Sequence, residues 1–262
     1  MTDDINAGVQ VEPISGALGA IVRGVDLATL DDGLWEVIRA AWLDHLVLFF
    51  PDQRLTPGQH IAFARRFGEP DVHSYLPKLD GYDEIVVLDS DTGVRADFWH
   101  TDVAFSETPP MASILQIIEG PDHGGDTMWS NQFLAYERLS PPIRDLLDGL
   151  SAVHDASSHG DPATAATHPA VRVHPESGRR ALFVNGTSTS HFVELERNES
   201  DALLAMLLRV CEQPELTCRY RWRPGDVAVW DNRCTQHYAV DDYTDTRVGR
   251  RVTVTGDRPF GP

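Results

Sequence analysis

The chain has only three cysteines, Cys211, Cys218 and Cys234. They cannot all pair with one another and none stands in a C-x-x-C arrangement, so neither a disulfide framework nor a structural zinc site is expected from them. They read as reduced, largely buried thiols of a cytosolic fold. Basic residues are also scarce. Twenty-two Lys and Arg stand against 40 Asp and Glu, a formal net charge of −18, which argues against nucleic acid and anionic membrane surfaces as partners. Any small anion must then be bound locally, by a few buried arginines against an unfavourable overall field. Long apolar runs are missing too. None approaches the roughly 20 residues that span a bilayer, and the nearest, Leu46 to Phe50, is bracketed by His45 and Pro51. The opening Met1-Thr2-Asp3-Asp4 lacks the basic segment and apolar run of a secretory signal. A soluble, cytoplasmic protein is expected.

What is present suffices for one substantial core: 262 residues, 42% of them hydrophobic, read as a single domain over 1–262. Short apolar runs at Val9 to Ile14 and Ala20 to Val25 read as strands. Asp31 and Asp32 open a helix with an apolar stripe through Leu34, Val37, Ile38, Ala41 and Trp42. Thr56-Pro57 opens a second. Strands are expected at Leu46 to Phe50, Ile85 to Leu88, Met111 to Ile118, entering Trp129, Leu216 to Trp222, Val227 to Trp230 and Val248 to Val254. A hairpin is expected from Val171 to Val173 and Ala181 to Val184. Gln132 to Tyr136, Ile143 to Leu150 and Glu199 to Cys211 read as helical. Asp155 to His168, rich in small and polar residues without periodicity, reads as a mobile surface loop. Short strands between glycine and proline turns, with a few helices, point to a β-sandwich or jelly roll with helices packed outside.

Within Asp97-Phe98-Trp99-His100-Thr101-Asp102, His100 and Asp102 are two apart and would point to the same side of a strand. Alone this is a common spacing and reads equally as a surface polar pair. Its apolar neighbours Phe98, Trp99, Val103 and Phe105 would make an unpaired carboxylate costly. Far downstream, after a strand and the turn Asp231-Asn232-Arg233, comes His237. Two histidines and one carboxylate are the donor set of a facial triad that holds ferrous iron and leaves positions open. Farther on, Arg247 and Arg251 are four apart, so an extended strand would place both on one face, roughly 13 Å apart, each suited to a carboxylate or sulfonate. Read without the metal motif, they serve equally as surface charges. Thr127, beside the Gly124-Gly125 turn, offers a hydroxyl donor, and His73 is a loop histidine.

Taken together these residues resemble the taurine dioxygenase (TauD/TfdA) family of iron(II)- and 2-oxoglutarate-dependent oxygenases. The resemblance covers nearly the whole chain. It is carried by Trp99 to Val103 with Glu107-Thr108-Pro109-Pro110, by Gly124 to Thr127, by Ala181 to Asn185, by Trp230 to Arg233 with Gln236-His237-Tyr238, and by Arg251-x-Thr253 with Gly256-Asp257-Arg258-Pro259. It implies a mainly β fold with flanking helices, a double-stranded β-helix (the cupin-like jelly roll). It implies iron(II) on His100, Asp102 and His237, and 2-oxoglutarate on Thr127 and Arg247. It also implies a small anionic substrate on His73 and Arg251, O2 as co-substrate, and a homo-oligomer. The expected reaction is hydroxylation beside a sulfonate or sulfate ester, with succinate and carbon dioxide formed. Asp102 itself argues against a halogenase, which needs that position free for chloride. Ala96 stands where taurine-using members carry an asparagine, and Asp155 to His168 is shorter than the usual lid and supplies no aromatic residue. Both features point to a substrate larger than taurine. The alternatives are the same chemistry on a carboxylate-bearing, amino-acid-derived molecule, or a metal-binding jelly roll without oxygenase activity.

Overall fold

All four side chains of the strand Val47–Phe50 are buried, so this short apolar run must be covered on both faces. The rest of the architecture provides the two covers. The computed structural model describes residues 8–92 and 96–262; Met1 to Asp4 and the centre of the Asp91 to Phe98 segment lie outside them.

In chain order the first strands are β1 (Gln10–Pro13), β2 (Ala20–Arg23), β3 (Val47–Phe50), β4 (Pro70–Asp71), β5 (Lys78–Leu79) and β6 (Tyr82–Asp89). Then come β7 (Ala112–Glu119), β8 (Thr127–Asn131), β9 (Ser151–Ala156), β10 (Asp161–Pro169), β11 (Val171–Val173) and β12 (Arg180–Leu182). The last are β13 (Thr189–Phe192), β14 (Thr217–Tyr220), β15 (Val227–Asp231), β16 (Thr235–Ala239) and β17 (Val248–Val254). The helices are α1 (Asp32–His45), α2 (Pro57–Ala64), α3 (Gln132–Glu137), α4 (Pro141–Leu147) and α5 (Arg197–Cys211).

One large sheet runs β1-β2-β3-β15-β7-β17-β6-β5, with β4 beside β17, and a smaller sheet runs β14-β8-β16. Late strands lie between early ones, the strand exchange of a jelly roll. On one face of the large sheet Leu48, Phe50, Ile114, Val229 and Val252 pack on Ile38 and Trp42 of α1 and on Ile61 and Phe63 of α2. On the other face Val47, Phe49, Leu115, Ala228 and Trp230 meet Trp129 and Cys218 of the smaller sheet. The fold is therefore the helix-flanked, double-stranded β-helix expected. Asp31 caps α1 through Leu34 N, and Thr56 with Gln59 forms a capping box on α2. No helix among the described residues is long and apolar enough to cross a membrane.

Between α2 and β7, His60 is fully buried and its Nε2–H donates to Ile114 O (3.1 Å). Burial pushes its pKa down to about 4. The neutral ring is thus the folded form, and its contribution is complete above the ordinary histidine pKa and lost as pH falls from 6.5 towards 4. From pH 7 to 4 the native protein should lose about 3 kcal/mol more stability than His60→Gln. Urea unfolding of both proteins at the two pH values measures this.

The mobile loop expected over Asp155 to His168 is not what forms. These residues complete β9, a 3-10 turn at Ser157–His159, and β10. β10 pairs with β9 through Ala166↔His154 and His168↔Ala152, with a bulge between Asp161 and Ala165. Small and polar side chains conceal the strand, because its inward positions are Ala166 and His168. His168 Nε2 is held by the carbonyls of Ala104 and Ser106. β13 and β16 also formed where no strand was expected.

Candidate active site

His100 and His237 are direct partners across an antiparallel bridge, with His100 N donating to His237 O (3.0 Å) and His237 N to His100 O (2.8 Å). The two rings lie 4.0 Å apart. His237 belongs to β16, whose register sets it opposite Trp129. Asp102, by contrast, is not on a strand with His100: residues 102–105 form a turn. A strand pleat therefore does not explain how the pair converges. Asn232 does. Its Oδ1 accepts from Asp102 N (2.9 Å), and its Nδ2 donates to Asp102 O (3.0 Å) and Pro110 O (2.9 Å). Val103 follows at φ 50, a left-handed conformation strained for a β-branched residue.

The turn bearing Asn232 is itself anchored. Arg233 grips both oxygens of Asp231 (Nε to Oδ1 2.9 Å, Nη2 to Oδ2 2.7 Å), and His174 Nε2–H donates to Oδ2 (2.9 Å). His174, Asp231 and Cys234 lie close enough together to resemble a second metal site. The Arg233 fork neutralises the carboxylate, and His174 Nδ1 already accepts from Glu176 N and Ser177 N. This cluster is a brace for the turn.

His100, Asp102 and His237 offer ligand atoms all within 4.8 Å of one another. Both Nε2 atoms lie 3.8 Å from Asp102 Oδ1. His100 Nδ1–H donates to Phe98 O (2.9 Å), which leaves the Nε2 lone pair toward the carboxylate. Burial holds both imidazoles below the usual histidine range, so they are neutral donors. Burial alone would raise the Asp102 carboxyl, but the Arg251 guanidinium beside it holds it well below the usual carboxylate range. Ser113 Oγ–H donates to its Oδ2 (2.7 Å). Two neutral nitrogens and an ionised oxygen fit a divalent transition metal such as iron(II).

All seven residues singled out from the sequence line one cavity of about 320 Å³. Arg247 is buried there, its Nε–H donating to Gly125 O (3.1 Å) and its Nη2 to Thr127 Oγ1 (3.4 Å). Among the described residues no carboxylate pairs directly with it, and a buried cation without an ion-pair partner favours an anionic ligand. Thr127 Oγ1 also accepts from Trp222 Nε1–H (2.9 Å). With two donors on its oxygen, its own hydroxyl hydrogen is available to a ligand. Arg251 Nη1 lies 2.5 Å from Asp102 Oδ1, and its Nη2 donates to no described residue. His73 Nδ1 accepts from Tyr75 N and Leu76 N (both 3.2 Å), so the neutral ring carries its proton on Nε2. Burial, then Arg251, lowers its pKa to about 4. It is a fixed, uncharged donor.

Sequence reasoning missed Asn232, Trp222 and Ser113, whose roles rest on long-range hydrogen bonds. It also missed His159. Together with Ser158, His159 brings the 155–168 segment to the cavity wall, and its ring stacks on Tyr75 (5.0 Å, 10°) and meets Phe105 edge-on (5.4 Å). The segment expected to bring no aromatic ring thus brings an imidazole.

Residues 10–253 match the family model described as taurine catabolism dioxygenase TauD, TfdA family. The chain is 43% identical to an alpha-ketoglutarate-dependent sulfate ester dioxygenase of Pseudomonas putida, with 97% of this chain and 91% of the relative covered. It is 38% identical to an alkylsulfatase of Acinetobacter baylyi, over 97% of this chain and 87% of that one. A crystal structure of a taurine dioxygenase from Burkholderia xenovorans superposes with a TM-score of 0.90 at 42% identity, covering 97% of this chain and 92% of that one. With sequence and fold matched over almost its full length, the chain belongs to the TauD/TfdA dioxygenase family.

Proposed function

We propose that this protein is an Fe(II)- and 2-oxoglutarate-dependent dioxygenase that hydroxylates a small organic anion of the sulfate ester or sulfonate class, with succinate and carbon dioxide formed alongside. One observation carries the reading: a neutral His–His–carboxylate donor set, a buried guanidinium with no carboxylate partner among the described residues and two further anion donors share one cavity. The sulfate ester activity named for the Pseudomonas putida relative supports the substrate class.

In this reading His100 Nε2, Asp102 and His237 Nε2 hold iron(II), which with 2-oxoglutarate supplies oxygen activation and C–H hydroxylation. The chain's own part is to bind, orient and exclude water. Arg247 and the Thr127 hydroxyl take the distal carboxylate of 2-oxoglutarate, a charge-assisted pairing. Arg251 Nη2 and His73 Nε2–H take the substrate anion and hold its adjacent carbon toward the donor set. Phe105, Leu115 and Trp230 supply apolar wall. Hydroxylation beside a sulfate or sulfonate gives a product that collapses to an aldehyde and sulfate or sulfite. Ala96 and the half-exposed Phe98 offer no side-chain donor at the wall, which supports a substrate with an apolar tail, larger than taurine. As part of the same reading, residues 1–262 act as one domain in a homo-oligomer. Three buried free thiols support a reducing, cytoplasmic setting.

The test is substrate-dependent succinate formation over a panel of alkyl sulfates, sulfonates, and free and N-substituted amino acids. Alkyl sulfates or sulfonates should give turnover. Turnover with the amino acids alone would move the substrate class, and none with any anion would contradict the reading.

A further inference from the structure

Asn185 lines the same cavity and is 1% exposed. Most of its polar atoms are committed. Its N–H donates to Thr189 Oγ1 (2.9 Å) and its carbonyl accepts from Thr189 N (3.2 Å). Its Oδ1 accepts from Thr187 N (3.1 Å), Ser188 N (2.9 Å) and Ser188 Oγ (3.1 Å). The two backbone N–H groups fix the amide orientation, because Nδ2 in that place would face other donors. Nδ2 is left donating to no described residue, on the wall of a polar cavity. A donor placed there is free to bond an acceptor that a ligand brings into the cavity.

Its neighbours indicate which ligand. Ser188 O accepts from Asp155 N (2.8 Å), and the chain continues from there to Ser158 and His159, which share the wall with His73. Thr187 Oγ1–H donates to Trp99 O (3.2 Å), next to His100. Arg247 lines this cavity too, but it also borders a side cavity of about 60 Å³ lined by Leu88, Ala96 and Ala239 and not by Asn185 or His73.

We propose that Asn185 binds the anionic group of the substrate, its Nδ2 donating to an anion oxygen alongside Arg251 and His73. The proposal rests on the anionic substrate class above. A sulfate or sulfonate head carries three terminal oxygens, more acceptors than one guanidinium nitrogen and one imidazole N–H can satisfy. A neutral amide adds a third donor without burying a further charge.

Asn185→Asp separates this role from a purely structural one. A carboxylate keeps an acceptor for Thr187 and Ser188 but replaces the donor with a negative oxygen. Octyl sulfate binding, measured by calorimetry on protein loaded with Mn(II) and 2-oxoglutarate, should weaken by about thirtyfold or more in Asn185→Asp, and by about tenfold in Asn185→Ala. The 2-oxoglutarate affinity should stay within about twofold of wild type. If Asn185→Ala fails to fold through loss of its turn bonds, Asn185→Asp alone decides. Wild-type octyl sulfate affinity in Asn185→Asp would show that Asn185 only shapes the turn, and an equal loss of 2-oxoglutarate affinity would place the donor on the cosubstrate; either overturns the proposal. If wild-type protein binds no sulfate ester but binds a carboxylate from the panel, the substrate class fails separately, and the same ratios measured with that carboxylate still test Asn185.

Discussion

Asp102→Ala should abolish 2-oxoglutarate turnover and, in the metal-free protein, lower folding stability by about 3–5 kcal/mol. Loss of turnover follows from loss of the only carboxylate in the donor set. Loss of stability follows from Arg251, which is 5% exposed and whose hydrogen bond among the described residues goes to Asp102 Oδ1. Removing one member of a buried ion pair leaves the other charge desolvated and unanswered. The two effects can be separated. A double variant, Asp102→Ala with Arg251→Met, removes both charges and should recover most of the stability in urea unfolding while remaining inactive and unable to hold metal. Full stability in the single variant would mean that Arg251 finds solvent or another partner and is not committed to the metal site.

Arg247→Ala should raise the 2-oxoglutarate concentration needed for half-maximal rate by about 10- to 150-fold, the range of a lost charge-assisted hydrogen bond. The argument is again one of burial. Arg247 is 7% exposed, with a backbone carbonyl and a threonine hydroxyl as partners, so a carboxylate arriving there relieves an unfavourable state. Arg247→Lys should fall between, since an ammonium offers a point charge where the guanidinium offers a planar fork. The requirement for the sulfate or sulfonate substrate should change little. If that requirement rises instead, the two arginines have exchanged roles.

The elements with a strong apolar period were legible in the sequence: α1 with its Asp31 cap, β3, β7, β15 and β17. β3 and β15 are short apolar runs buried on both faces, whereas α1 is marked by a one-sided helical stripe. β10 was not legible, because its inward positions are an alanine and a histidine held by backbone carbonyls. The donor set was legible as residue types, and its convergence was not. His100 and Asp102 meet through a turn clamped by Asn232, and nothing local in Trp99 to Val103 reveals that clamp. Asn185 was part of a quoted motif without a role, since a free Nδ2 appears only once its other polar atoms are accounted for.

The most direct test of the central claim is the visible absorption spectrum of anaerobic protein given iron(II) and then 2-oxoglutarate. A weak charge-transfer band in the green should appear only when both are present, and should be absent from Asp102→Ala. It should need far more 2-oxoglutarate in Arg247→Ala. No band in the wild-type protein with both components added would contradict an iron and 2-oxoglutarate centre at His100, Asp102 and His237.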